Sequence, residues 1–151
     1  MGKKIFRFYS LFFILLFLTL LSSCEKNRDP IINLDTKWTY SINGIHGNFI
    51  PFELSDFSKI IKSLPDRKGN IYLKTNFSIP LELKNKTLKC FLGNIKIASE
   101  CYVNGNYIGN AGFFPPNLFS TGGRSTSYTI PYVLCNDVQN ELIIHVYVES
   151  E

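Results

Sequence analysis

Two stretches of the chain alternate with a period of two. In "NIYLKTNFSI", residues 70–79, Ile71, Leu73, Phe77 and Ile79 fall on one face, and Tyr72, Lys74, Asn76 and Ser78 on the other. In "ELIIHVYV", residues 141–148, Leu142, Ile144, Val146 and Val148 share a face, which leaves Ile143, His145 and Tyr147 opposite. A single apolar face at this period predicts half-buried antiparallel strands. Shorter runs rich in aromatic and β-branched residues predict strands at 37–42, 87–93, 100–104, 106–109 and 127–130. Asn104-Gly105 supplies the two positive-φ residues of a type I′ turn between strands carrying Val103 and Ile108. Only "SDFSKIIKSL", residues 55–64, reads as a helix. Phe57, Ile60, Ile61 and Leu64 recur at helical spacing, Ser55 is placed to cap, and Pro65 closes the segment. Short strands separated by frequent turn signals predict an all-β chain, an antiparallel β-sandwich or barrel.

The first residues follow a different pattern. Lys3, Lys4 and Arg7 precede an almost unbroken apolar run, "LFFILLFLTLL" (residues 11–21), which ends in "LSSC". A basic start, a short apolar core and small residues before a processing site describe an export signal. The run is shorter than the roughly 20 apolar residues of a comfortable membrane span. "LSSC" resembles the lipobox of bacterial lipoproteins, in which the Cys, here Cys24, becomes the lipidated first residue. The alternative is an uncleaved N-terminal anchor helix. The organisation expected is a signal peptide at 1–23, a polar tether at 24–36 after acylated (palmitate-bearing) Cys24, and one domain at 37–151. Localisation follows as the bacterial cell envelope, with the lipid bilayer as a partner.

Processing at Cys24 changes the charge. The whole chain carries 16 basic and 12 acidic residues. Without Lys3, Lys4 and Arg7, 13 basic and 12 acidic residues remain, a formal charge of +1. A near-neutral domain gives no reason to expect nucleic acid as a partner. Cys90, Cys101 and Cys135 remain in the domain, an odd number without C-x-x-C spacing, so zinc is not indicated. Export permits one disulfide; burial of all three thiols as small apolar groups is the other reading.

Three segments in register carry a more specific resemblance. "GNIYLKTNFSIP" (residues 69–80), "LKCFLGNIKIASECYVNGNYIGNAG" (88–112) and "RSTSYTIP" followed by "NELIIHVYV" (124–131 and 140–148) resemble the sugar-binding domain of glycoside hydrolase family 2. The match keeps order and spacing from Trp38 to Val148. It implies a galactose-binding-like jelly roll of two facing antiparallel sheets, the non-catalytic module that accompanies β-galactosidases, β-glucuronidases and sialate esterases. Similar modules form sensor heads of bacterial membrane signalling proteins. The chain departs from the family where Leu73 and Lys74 stand in the region of a Tyr-Arg pair. The sequence also ends at Glu151, ahead of the barrel that carries the catalytic carboxylates.

No catalytic constellation is legible. Glycoside hydrolysis needs two carboxylates about 5 to 10 Å apart, and the acids Glu53, Asp56, Asp66, Glu82, Glu100, Asp137 and Glu141 are scattered. Glu100, at the acidic position of the family pattern, reads as a structural hydrogen-bonding group. His46 and His145 read as two unconnected histidines, and no G-x-S-x-G elbow is present. No cofactor and no metal site is expected. Trp38 reads as a core residue.

Binding is the better prospect. Sugars are held by aromatic faces and by fixed polar groups. The loop after the hairpin offers Phe113, Phe114, Pro115, Pro116, Asn117 and Phe119, and "TGGRS" adds Arg124; of these, Phe113, Phe114, Asn117 and Arg124 are the candidate ligand-binding residues. The competing reading has the aromatics folding back to plug the open end of the sandwich. The sequence thus predicts a membrane-anchored, non-catalytic module for a carbohydrate or small polar ligand. The alternatives are a sensor or scaffold domain that docks onto a membrane protein, and a truncated accessory domain of a glycoside hydrolase or esterase.

Overall fold

The computed structural model describes residues 31–34, 37–94 and 97–149. The expected signal peptide, the Cys24 lipidation site and most of the tether lie outside the described residues. Ile32 and Leu34, at the end of the polar stretch, already pack against the core, and the Trp38 indole N–H donates to the Leu34 carbonyl.

The described residues form eight strands and one α-helix: β1 (Trp38–Ser41), β2 (Ile50–Phe52), α1 (Phe57–Ser63), β3 (Lys68–Phe77), β4 (Leu88–Asn94), β5 (Ala98–Val103), β6 (Asn106–Ala111), β7 (Ser125–Ile130) and β8 (Asn140–Glu149). All ladders are antiparallel. The larger sheet runs β2-β1-β3-β8-β5-β6, and β4 pairs with β7 in a second sheet. Two antiparallel sheets face each other across one core, which makes a β-sandwich.

The two alternating stretches become the centre of the larger sheet. β3 and β8 pair over their full length, with Tyr72 opposite His145 and Leu73 opposite Ile144. Their inner face carries Ile71, Phe77, Leu142, Ile144 and Val146, all buried against Cys90, Tyr128 and Ile130 of the smaller sheet. Thr75, also buried, sits in the same inner row. Trp38 is buried in this core, as expected.

Asn104 and Gly105 have φ of 49° and 78°, as a type I′ turn requires. The hairpin is not regular, because Cys101 pairs with Gly109 and Tyr102 with Tyr107, leaving Ile108 as a bulge.

Two local features differ from the sequence reading. β2 was not expected, because it is only three residues long and contains Pro51. It lies at the edge of the sheet, the position in which a strand tolerates a residue that cannot donate to the ladder. Ser55 does not cap the helix. It lies within a short 3-10 turn, Leu54–Asp56, and neither Glu53 nor Asp56 makes a side-chain cap, so α1 begins only at Phe57. Leu64 ends it in extended conformation ahead of Pro65, as the sequence predicts.

Candidate functional site

The outer face of the larger sheet carries a belt of aromatic and polar side chains across β3, β8, β5 and β6. His145 on β8 is its centre, since the ladder places it beside Tyr72 of β3 on one side and Glu100 of β5 on the other. The Tyr72 ring stacks on the imidazole at a centroid distance of 4.2 Å and an interplanar angle of 5°. The Phe114 ring, from the loop after β6, also stacks on it, at 4.2 Å and 20°. Two rings parallel to the imidazole at that distance cannot share one side, so the imidazole is held between them.

The edges of the imidazole are occupied as well. Nδ1 lies 3.0 Å from Glu100 Oε2, and Nε2 lies 3.0 Å from Asn70 Oδ1. The Tyr102 hydroxyl donates to the same Glu100 oxygen at 2.9 Å. Burial pushes the His145 pKa down, and the neighbouring Glu100 carboxylate opposes that shift. Burial first, and then donation to Glu100, push the Tyr102 hydroxyl up to about 12. The belt continues through Tyr107, which meets Tyr102 edge to face and donates to Asn110 Oδ1 at 2.9 Å. Asn110 in turn donates to the Gly112 carbonyl at 2.8 Å, which ties the belt to the base of the loop.

The loop itself is a small hairpin. Phe113 and Phe119 exchange backbone hydrogen bonds of 2.9 and 3.1 Å around a tip that contains a cis Pro115-Pro116 bond. Gly112 at its base, with φ of 75°, lies so close to the Ile97 and Phe119 carbonyls that no side chain fits. Thr121 donates its N–H to the Ile97 carbonyl, which holds the returning limb.

The sequence-predicted site residues therefore separate. Phe114 turns inward onto His145 and is half-buried. It covers the outer face of the larger sheet rather than the open end of the sandwich. Phe113 is 58% exposed, and its ring lies 6.1 Å from that of Phe119, which is 61% exposed. Asn117 at the tip and Arg124 before β7 are exposed. Among the described residues, Arg124 makes no cation–π contact with Phe113 or Phe114. The second exposed ring of the rim is thus Phe119, which the sequence places in the loop but which is not among the four candidate ligand-binding residues.

The two histidines lie apart, as the sequence reading has them, but His145 has partners that the reading did not assign. It is bonded to Glu100 and Asn70 and stacked by two rings. Glu100 has the structural hydrogen-bonding role expected of it. The available signal was the outer-face phase of β3 and β8, where Tyr72 and His145 stand in place of the charged residues of a solvated strand. His46 lies elsewhere, in a cleft of about 310 Å³ lined also by Phe49, Lys74, Glu141 and Ile143. There the Lys74 ammonium sits 4.2 Å over the Phe49 ring and 3.5 Å from Glu141 Oε2. A larger groove, about 830 Å³, opens onto the inner face between α1, β4 and β8. Neither opening is lined by Phe113, Phe114, Asn117 or Arg124.

Chemically, the belt is a fastening. Both ring nitrogens of His145 are engaged and both faces are covered, so a reacting group reaches the imidazole only by displacing one of these partners. What the belt leaves available to a ligand is the exposed rim of Phe113 and Phe119, with the polar Asn117 side chain between them in sequence.

No protein-family model matches the chain, and no curated protein matches it. Solved structures of a β-glucuronidase from Ruminococcus gnavus are similar in fold. The complex with D-glucuronic acid gives a TM-score of 0.56 at 19% identity over 79% of this chain and 23% of that one. The apo structure at 1.7 Å gives 0.57 at 19% identity over 79% and 23%. A further crystal structure of the enzyme gives 0.58 at 20% identity over 79% and 22%. The chain spans less than a quarter of the length of the glucuronidases it matches, and the likeness agrees with the sandwich fold expected from the sequence.

Proposed function

We propose that this chain is a non-catalytic carbohydrate-binding module, held at a membrane of the cell envelope through acylated Cys24. The observation that carries the reading is the exposed aromatic pair, Phe113 and Phe119, presented on a loop whose base is pinned by Phe114 on His145. Aromatic faces stack on the apolar side of a pyranose, and a rigid presentation keeps the entropic cost of binding small. Asn117 at the tip, and Arg124 if the two loops close on the same ligand, supply donors for hydroxyls or a carboxylate. The fold likeness to a glucuronidase structure that holds D-glucuronic acid supports sugar as the ligand class.

The test is titration of the purified domain against a glycan panel that includes uronic acids, repeated with Phe113→Ala and Phe119→Ala. Binding that weakens at least tenfold in the double variant supports the reading; no binding to any member of the panel contradicts it. A second reading is a sensor or scaffold domain. Leu118, exposed beside Phe113 and Phe119, favours it, because the three make an apolar rim suited to a protein surface. Co-purification of a membrane protein that is lost in Leu118→Asp, with glycan binding absent, supports that second reading.

A further inference from the structure

Cys90 and Cys101 belong to different sheets, yet the fold brings them together. Cys90 on β4 is in register with Tyr128 on β7. Tyr128 reaches across the sandwich to β5, where its hydroxyl donates to the Ser99 carbonyl at 2.9 Å and lies 2.7 Å from the Ser99 hydroxyl. Cys101 is two residues along β5 from Ser99 and therefore on the same inner face. Its β6 partner is Gly109, and a side chain at Gly109 would touch the Tyr128 ring at 3.6 Å. Tyr128 is thus flanked by Cys90 within its own sheet and by Cys101 across the core. Both thiols lie in the same buried cluster, near enough that each shifts the other: the neighbouring thiol lowers the Cys90 pKa and raises that of Cys101, which burial raises further. Cys90 is 7% exposed and Cys101 is fully buried, whereas Cys135 is partly exposed, with its sulfur directed at the Pro131 carbonyl.

We propose that Cys90 and Cys101 form a disulfide that bolts the two sheets of the sandwich together when the chain meets a disulfide-bearing oxidant during export. The Cys90 thiol gives up its proton, and its sulfur attacks one sulfur of the oxidant's disulfide, expelling the other as a thiolate. The Cys101 sulfur, losing its proton, then displaces the oxidant from this mixed disulfide. The pair is oxidised by two electrons, and the oxidant leaves as two thiols carrying the two protons. Because both thiols are buried in the closed sandwich, the exchange takes place before the sheets close or while they open. The third cysteine, Cys135, stays reduced, which resolves the odd count.

The test refolds the full chain with glutathione disulfide as oxidant and, in parallel, with glutathione alone. Free thiols are alkylated under denaturing conditions and the peptides are mapped by mass spectrometry. The expected result is a chain lighter by two hydrogen atoms, with the Cys90 and Cys101 peptides linked and Cys135 alkylated. The oxidised form should melt roughly 5–15 °C higher than the reduced form, as expected for closing a short loop. A Cys135→Ala variant should keep the link. Alkylation of both Cys90 and Cys101 after oxidative refolding overturns the proposal, as does a link to Cys135 or Cys24. The readout is independent of any glycan, so its failure leaves the carbohydrate reading untouched.

Discussion

The Phe114 ring lies flat on the His145 imidazole, with centroids 4.2 Å apart, although 31 positions separate the two in the chain. That contact fastens the loop after β6 to the middle of the larger sheet. Its neighbour Phe113, one residue earlier, points the other way and stays exposed. The two substitutions should therefore behave differently. Phe114→Ala removes a stacked, half-buried ring and should cost about 1–3 kcal/mol of stability. Phe113→Ala should stay within about 0.5 kcal/mol of the parent. Denaturant unfolding of both variants checks the pair; equal losses would contradict the inward and outward assignment.

Acid should loosen the same region. Burial holds the His145 pKa below its ordinary value of 6.5, despite the opposing pull of Glu100. Between the folded and unfolded pKa values the unfolded chain binds more protons, so stability rises with pH there. The neutral form favoured by the fold costs nothing above pH 6.5, and stability falls as pH drops from 6.5 through the lower folded value. His145→Gln should flatten this part of the profile, as measured by melting temperature at a series of pH values. A slope unchanged in His145→Gln would show that other groups produce it.

Asn104 has two separable duties. With Gly105 it makes the turn, and its side chain also donates to the Leu134 carbonyl and to Asn140 Oδ1, each at 2.8 Å, while its Oδ1 accepts from the Glu141 N–H at 2.9 Å. Asn104→Gly keeps the positive φ but removes these bonds from the start of β8, and should cost about 1–3 kcal/mol. Gly105→Val has open space for its side chain but must adopt φ near 78°, so it should damage folding through backbone strain alone. Circular dichroism and thermal melts of both variants check this, and a Gly105→Val protein that melts like the parent contradicts the type I′ assignment.

Gly112 adds a steric requirement to a conformational one. A Cβ there would lie 2.5 Å from the Ile97 carbonyl oxygen and 2.6 Å from that of Phe119. Gly112→Ala should therefore lower the melting temperature and expose the Phe114 contact, seen as a changed near-ultraviolet aromatic signal. Gly122→Ala, with nothing near its side-chain position, should shift the melting temperature less.

The long strands were legible because each carries one mainly apolar face, although Ile143 on the opposite face of β8 is buried too. Ile71 and Phe77 on β3, and Leu142, Ile144 and Val146 on β8, fix the phase of both by themselves. The Asn-Gly turn was legible because few residue pairs accept two positive φ values in succession. β2 was hidden by its Pro51 and its length, and the Ser55 cap failed because a 3-10 turn intervened before α1. The outer-face belt was hidden for a different reason. Tyr72, Glu100, Phe114 and His145 meet only through the order β3-β8-β5 and the register of its ladders, and neither follows from the local pattern of any one strand. Phe119 stands in the loop's aromatic set, but that it rather than Phe114 is the exposed partner of Phe113 depends on the backbone pairing that closes the loop.

If the proposed function holds, the exposed Phe113 and Phe119 rings are the surface that binds a carbohydrate. Isothermal titration of the purified domain with its best glycan from a panel, repeated for Phe113→Ala/Phe119→Ala, tests it most directly. Affinity should fall at least tenfold, about 1.4 kcal/mol or more, while the melting temperature of the double variant stays close to that of the parent. Undiminished affinity in a correctly folded double variant would contradict it.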